Sequence, residues 1–146
     1  MSEEKKLKRP KACVGVMVFK DGKILIGKRR ATASHGVGEY TFPGGHIEHN
    51  ESFIEATERE AQEEAGIKMK NLKFQCVINT DVYKDHQAVL VAFVADWDSG
   101  EPRSLPEENV GEWSWYNIDE LPAPLFYPTE IVIDSFKTGK NFYDKE

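Results

Sequence analysis

Residues 12–19 are apolar at both alternating sets of positions, with Val14, Val16 and Val18 on one and Cys13, Met17 and Phe19 on the other. Successive side chains of a strand point to opposite faces of its sheet, so this run has no face to give to water. It belongs in the middle of a sheet, with packing on both sides. The rest of the chain supplies the neighbours. Asp21-Gly22 is a hairpin signal, and Ile24-Leu25-Ile26 forms the returning strand before Lys28-Arg29-Arg30. A loop over 31–39 leads to the short run Tyr40-Thr41-Phe42, which meets Pro43-Gly44-Gly45. Residues 50–65 read as a helix, with Asn50 as its cap, Glu51 at the positive N-terminal end and Gly66 as a left-handed stop. Two β-rich runs at 72–83 and 87–97 follow, joined by Lys84-Asp85-His86. Residues 98–110 are a loop, Glu112 to Tyr116 another strand, and Ile131, Val132 and Phe136 mark a short helix from Pro128 onward. The expectation is one mixed α/β domain over 11–146, behind a polar leader at 1–10 whose Lys5, Lys6, Lys8 and Arg9 form a solvated tail.

Composition narrows the function classes. At 146 residues a single core suffices without staples. A net charge of −6 disfavours tracking of a duplex phosphate backbone, so an anionic substrate needs a bridging cation or a few local bases. Cys13 and Cys76 each sit in an apolar run and read as reduced core thiols of a cytoplasmic protein. No stretch approaches the roughly 18 apolar residues of a membrane span, and the N-terminus has no apolar signal region.

The helix is where the chemistry lies. Projected at about 100° per residue with Glu60 as origin, Phe53 falls near 20°, Ala56 near 320°, Ala61 near 100°, Ile54 near 120° and Ala65 near 140°. The apolar arc therefore centres near 50°, and Glu60 and Glu64, near 0° and 40°, lie inside it. An imperfectly patterned acidic surface helix is the alternative. Two carboxylates one turn apart repel by ~3 kcal/mol at an effective dielectric near 20. Arg59 is placed to pair with Glu63 at i+4, but one guanidinium is not expected to serve three acids. A hard divalent cation, Mg²⁺ or Mn²⁺, completes the balance, since these ions take one or two carboxylates plus substrate phosphates. Zinc is disfavoured because His35, His46, His49 and His86 are scattered and read as surface or loop residues.

The spacing Gly45, five residues, Glu51, seven residues, Arg59-Glu60-Ala61, one residue, Glu63-Glu64, one residue, Gly66-Ile67 matches the Nudix box at every fixed position. A chance match is on the order of 10⁻⁸ per start. Ala61 stands where the family carries a bulkier aliphatic residue, which touches packing more than chemistry. Outside the box, residues 24–30 followed by Phe42-Pro43-Gly44-Gly45 resemble the MutT-type branch, the nucleoside triphosphate pyrophosphohydrolases. The segments Glu39 to Glu48, Pro106 to Asn109 and Trp113-Ser114-Trp115 resemble a diphosphatase of the same family known for thiopurine triphosphates. The resemblance implies a Nudix-type α/β/α sandwich with a mixed sheet, Mg²⁺ or Mn²⁺ as cofactor, a nucleotide as substrate and a homodimer as a common assembly.

Matched position by position, the resemblance implies that Glu60 and Glu64 bind the metal, that Glu63 shares that task or positions water, and that Gly44 offers a backbone carbonyl. Glu60 is also a frequent general base in this branch, and Arg59 belongs to the same catalytic cluster. Arg29, at a strand end, matches a phosphate-contacting arginine, and Gly44 and Gly45 let the backbone approach closely because no Cβ intervenes. Glu107, Glu108 or Glu112 is a candidate for a further carboxylate, and a plain acidic loop is the alternative for each. Trp113 and Trp115 share one side of a strand, where core packing outweighs base stacking.

The leading function is Mg²⁺-dependent hydrolysis of a nucleoside triphosphate to monophosphate and pyrophosphate. ADP-ribose and dinucleoside polyphosphates are the alternative substrates. Tyr83, sixteen residues beyond Ile67, stands where dinucleoside polyphosphate hydrolases tend to carry tyrosine and ADP-ribose hydrolases proline. No match to the additional motifs of NADH or coenzyme A hydrolases is seen. A non-catalytic nucleotide sensor of the same fold is disfavoured because every acid of the box is retained, and an isomerase because neither cysteine lies in a loop.

Overall fold

The computed structural model describes residues 8–145, so Lys5 and Lys6 of the polar leader lie outside the described residues. Lys8 is largely solvent-exposed and its Nζ pairs with Asp85 at 2.7 Å. The first strand, β1 (Lys11–Lys20), turns at Asp21-Gly22 into β2 (Lys23–Arg29). Both turn residues have positive φ, 51° and 79°, the geometry that matches the twist of a two-residue hairpin. Two short strands follow, β3 (Tyr40–Thr41) and β4 (Gly44–His46), then α1 (Phe53–Ala65). A long hairpin, β5 (Lys68–Tyr83) and β6 (His86–Ser99), precedes β7 (Val110–Tyr116), α2 (Tyr127–Thr138) and β8 (Phe142–Tyr143). Strands run longer than the sequence pattern marks: β5 begins at Lys68 and β6 ends at Ser99, both polar ends, and β7 starts at the buried Val110, two residues before Glu112.

All strands belong to one sheet, in the order β3-β2-β1-β6-β5-β8, with β4 on β1 and β7 on β2. The sheet is mixed: β1 and β6 are parallel over Lys11–Phe19, whereas β1 pairs antiparallel with β2 and β4. As expected from the doubly apolar pattern, β1 is central and buried on both faces. Val16 and Val18, with Leu25, pack against Ala61 and Ala65 of α1. On the opposite face Met17, Ile24 and Ile26 pack with Val132 and Ile133 of α2. One helix covers each face, which makes the molecule an α/β/α sandwich of the Nudix type.

β6 occupies one edge of β1 along its length, so β2 and β4 share the other. They pair with different ends of it, Phe19–Lys20 and Cys13–Gly15, and must diverge in between. Pro43 lies at the point of divergence, where its carbonyl accepts from Val16 N–H at 3.0 Å. Gly44 is required there, because a Cβ would meet the Val14 carbonyl and the Gly15 Cα.

The helix start differs from the expectation. Asn50 adopts φ 69° in the preceding turn, and Ser52 caps α1 in a capping box with Glu55. The signal, Ser52-x-x-Glu55, lies two residues beyond Asn50. Gly66 ends the helix at φ 74° as expected. Phe53 and Ile54 fall on the apolar arc but are 50% and 40% exposed, and burial on α1 begins at Ala56.

Candidate active site

Residue 59 organises the acids. Arg59 Nε and Nη2 donate to the two oxygens of Glu51 at 2.6 and 2.9 Å, a bidentate pair, and Nη2 also donates to the His46 carbonyl at 2.9 Å. Its Nη1 reaches Glu60 at 3.2 Å, Glu63 at 3.1 Å and Glu48 at 3.6 Å. One guanidinium therefore touches four carboxylates, two of them, Glu48 and Glu51, from outside the helix, and of Glu60, Glu63 and Glu64 it leaves Glu64 unserved. The planar fork with five N–H donors makes this feasible. Glu51, expected as a charge at the helix N-terminus, is instead the principal anchor of Arg59, whose hydrogen bond holds its carboxyl down at about 2.

Glu64 is not part of that cluster. It is buried, on the face of α1 turned toward β4, and its Oε1 accepts from Gly44 N–H at 2.9 Å. Among the described residues it has no salt-bridge partner. Burial pushes its carboxyl up to about 8, against the pull of the Gly44 hydrogen bond, and the charges of Glu60 and Glu108 push the same way. Burial likewise raises Glu60 to about 7, although Arg59 opposes the shift. Gly45 abuts Glu60 so closely that a Cβ there would overlap the carboxylate.

These groups face one cavity of about 770 Å³, opened where β2 and β4 diverge. Glu48, Glu60, Glu63, Glu64 and Glu108 line it, against Lys11, Arg29 and Arg59. Gly44 and Gly45 form part of its wall. Arg29 ends β2, donates from Nε to the His35 carbonyl at 2.9 Å and lays its guanidinium 4.2 Å over the Phe126 ring. Of the three late-loop acids, Glu108 is the one that reaches the cavity. Arg30 Nη1 fixes its loop by donating to the carbonyls of Leu105 at 2.5 Å and Glu108 at 2.9 Å. Burial raises Glu108, and the charges of Glu63 and Glu107 add to it.

The histidines are surface or loop residues as expected, with His46 exposed and His35 in the β2–β3 loop, whereas Cys13 differs from its reading as a core thiol. His35, His46 and His86 line the cavity, with the rings of His35 and His86 stacked at 4.2 Å. Cys13 is only partly buried and also lines it, with its thiol pushed up to about 11 by burial and by Glu60. Both cysteines are free. Phe126 and Tyr83 line the far end. Apart from Tyr83, marked in the sequence by its spacing from Ile67, none of these carries a local signal for a place in the cavity. Trp113 and Trp115 pack against the α1-side core, and Trp113 Nε1 donates to the Glu64 carbonyl at 3.1 Å.

The donor set fits a hard divalent cation. Its candidate ligands are carboxylate oxygens, and the one most deeply buried has no cationic partner. Among the described residues no three acidic, histidine or cysteine groups yet converge at ligand distance, since Arg59 draws Glu60 and Glu63 to itself.

The NUDIX domain model matches residues 9–136. A MutT NUDIX hydrolase from Burkholderia pseudomallei superposes with a TM-score of 0.79 at 30% identity, covering 87% of this chain and 98% of that one. The NUDIX domain of Shewanella oneidensis NrtR, solved with ADP ribose, has a TM-score of 0.75 at 19% identity, covers 90% of this chain and 88% of that one, and shows the shared fold alone. The NAD-capped RNA hydrolase NudC of Photorhabdus laumondii is 34% identical over 110 residues, 75% of this chain. The chain spans 40% of that relative's length. A helix carrying the matched acids beside a glycine-walled cavity, and a family model covering most of the chain, lead to one assignment: this chain belongs to the Nudix hydrolase family.

Proposed function

We propose that the protein hydrolyses a nucleoside triphosphate, with Mg²⁺ or Mn²⁺, to a nucleoside monophosphate and pyrophosphate. The observation that carries this reading is the convergence of Glu60, Glu63, Glu64 and Glu108 on one cavity with Arg29 in its wall. An acid-rich cavity repels a polyphosphate unless a divalent cation enters with it, and Arg29 then supplies a fixed positive charge for the chain of phosphates.

Glu60, Glu63, Glu64 and the Gly44 carbonyl would hold the cation. When bound, it neutralises charge on the phosphates and acidifies coordinated water. Arg59 keeps Glu60 and Glu63 turned to the same side of α1. Glu60 is the acid assigned to accept the proton in this reading, since its carboxylate lines the cavity. In the proposed step a water oxygen bonds to the α-phosphorus, its proton passes to Glu60, and the bond to the bridging oxygen breaks so that the electron pair leaves with pyrophosphate. Arg29 orients the departing phosphates, and Gly45 lets them approach the backbone.

The 34% identity to an NAD-capped RNA hydrolase supports a second reading, in which the diphosphate of a dinucleotide is cut. Measuring kcat/KM with Mg²⁺ for common and oxidised nucleoside triphosphates, ADP-ribose, diadenosine polyphosphates and NAD separates the two. A tenfold preference for any diphosphate-linked dinucleotide or ADP-ribose overturns the triphosphate reading and leaves the metal chemistry untouched. The same reading treats 11–146 as one catalytic domain of a cytoplasmic protein that works as a homodimer, a state that sedimentation velocity measures directly.

A further inference from the structure

Tyr83 was singled out in the sequence as a marker of substrate class, yet its hydroxyl is engaged within the protein. It donates to Glu39 Oε1 at 2.5 Å and accepts from Tyr127 N–H at 2.8 Å. The second bond has a specific origin. The N-cap of α2 is Phe126, which offers no side-chain acceptor, so the first amides of the helix lack a local cap. Tyr83, at the far end of β5, provides an acceptor for one of them. Burial and the hydrogen bond to Glu39 both push its phenol above the ordinary range, so it stays protonated and able to donate.

The ring does a second task. It stacks on Phe126 with centroids 5.1 Å apart and planes 18° from parallel. Phe126 in turn carries the Arg29 guanidinium 4.2 Å above its ring. Glu39 closes the arrangement from the other side: its backbone carbonyl accepts from Arg29 N–H at 2.8 Å, while its carboxylate holds Tyr83. Three segments distant in the chain, the β2–β3 loop, the β5 end and the start of α2, thus meet at one hydroxyl. The arginine they surround keeps its Nε on the His35 carbonyl, a single bond that leaves the side chain otherwise dependent on the ring beneath it.

We propose that Tyr83 is a positioning residue, which fixes Phe126 and through it the aim of Arg29, and that it is not a substrate ligand. The proposal rests on the reading above that Arg29 meets the phosphates. A guanidinium held by one hydrogen bond and one ring face loses its direction if the ring can tilt. Binding of the phosphates then weakens, while the bond-breaking groups around Glu60 are undisturbed.

The test is a double-mutant cycle of Tyr83→Phe and Arg29→Gln, using whichever nucleotide of the panel above has the highest kcat/KM. Tyr83→Phe keeps the ring and removes both hydrogen bonds. It is expected to raise KM roughly fivefold to tenfold with kcat within about twofold. In the Arg29→Gln background the same change should leave KM unaltered, because the group it aims is gone. A residue with a merely structural role lowers Tm in both backgrounds without this KM coupling. Two results overturn the proposal: an unchanged KM in Tyr83→Phe, or an equal KM effect in both backgrounds. If Tyr83→Phe does not fold, Phe126→Leu, which keeps the hydroxyl bonds and removes the ring under Arg29, must show the same coupling or the proposal falls. An unchanged kcat/KM in Arg29→Gln alone defeats the phosphate reading of Arg29 itself, a failure distinct from that of Tyr83.

Discussion

Replacing Glu64 by Gln isolates a buried carboxyl that has no salt-bridge partner among the described residues. The glutamine keeps an Oε1 able to accept from Gly44 N–H, so the backbone contact that seats the side chain against β4 survives. What is lost is a buried carboxylate raised from 4.5 to about 8. The sign follows from the direction of the shift. The folded state holds this proton more tightly than the unfolded chain, so its contribution is neutral below pH 4.5 and increasingly destabilising between 4.5 and about 8, where it reaches its full value. At about 1.4 kcal/mol per pKa unit the full penalty is on the order of 5 kcal/mol. The buried glutamine amide offsets ~1–2 kcal/mol of this. The net gain of Glu64→Gln above pH 8 is then ~3–4 kcal/mol, or roughly 9–12 °C in Tm at this chain length. Thermal unfolding by circular dichroism in EDTA, at about pH 5 and about pH 8.5, measures it. The variant is expected to melt well above wild type at the higher pH and within ~3 °C of it at the lower. A pH-independent difference, or a variant that melts below wild type at the higher pH, refutes the claim that Glu64 is an unpaired buried charge.

Mg²⁺ should raise the Tm of wild type by mass action on the folded state and leave that of Glu64→Gln nearly unchanged, while kcat of the variant falls at least ~100-fold; full turnover by the variant or by EDTA-treated wild type counts against the metal assignment. The two adjacent glycines should separate by mechanism. Gly45→Ala forces only a movable carboxylate aside, so it should fold with a Tm near wild type and lose roughly tenfold or more in kcat/KM, whereas Gly44→Ala collides with β1 backbone and should lose several kcal/mol in urea unfolding. Ser52→Ala removes the α1 capping box and should cost about 1 kcal/mol in the same measurement with kcat/KM unchanged, because Arg59, Glu60, Glu63 and Glu64 lie beyond the first turn and the Glu51 carboxylate keeps its bidentate pair with Arg59.

Much of this protein was legible in its chain because the determinants are local and periodic. The doubly apolar run of β1 requires cover on both faces, and the two helices provide it whatever else the chain does. The placement of Glu60 and Glu64 inside the apolar arc of α1 follows from 3.6 residues per turn, and both indeed face inward beside Gly44 and Gly45. Turn residues act over a few bonds, so Asp21-Gly22 and Gly66 were readable one by one. Tertiary structure decided what no window of sequence spans. Glu108 was one of three equivalent acids until Arg30, seventy-eight positions earlier, gripped its carbonyl and turned its loop to the cavity. Arg59 was expected to be overcommitted, because helix spacing reveals Glu63 but not Glu48 and Glu51 folding back from the preceding loop. Phe53 and Ile54 have the periodicity of core residues and lie exposed, since burial depends on what the tertiary structure packs against them. Tyr83 shows the same division: its position is a local fact, but its hydroxyl bonds depend on Glu39 and Tyr127, each forty-four positions away, which only the closed sandwich brings together.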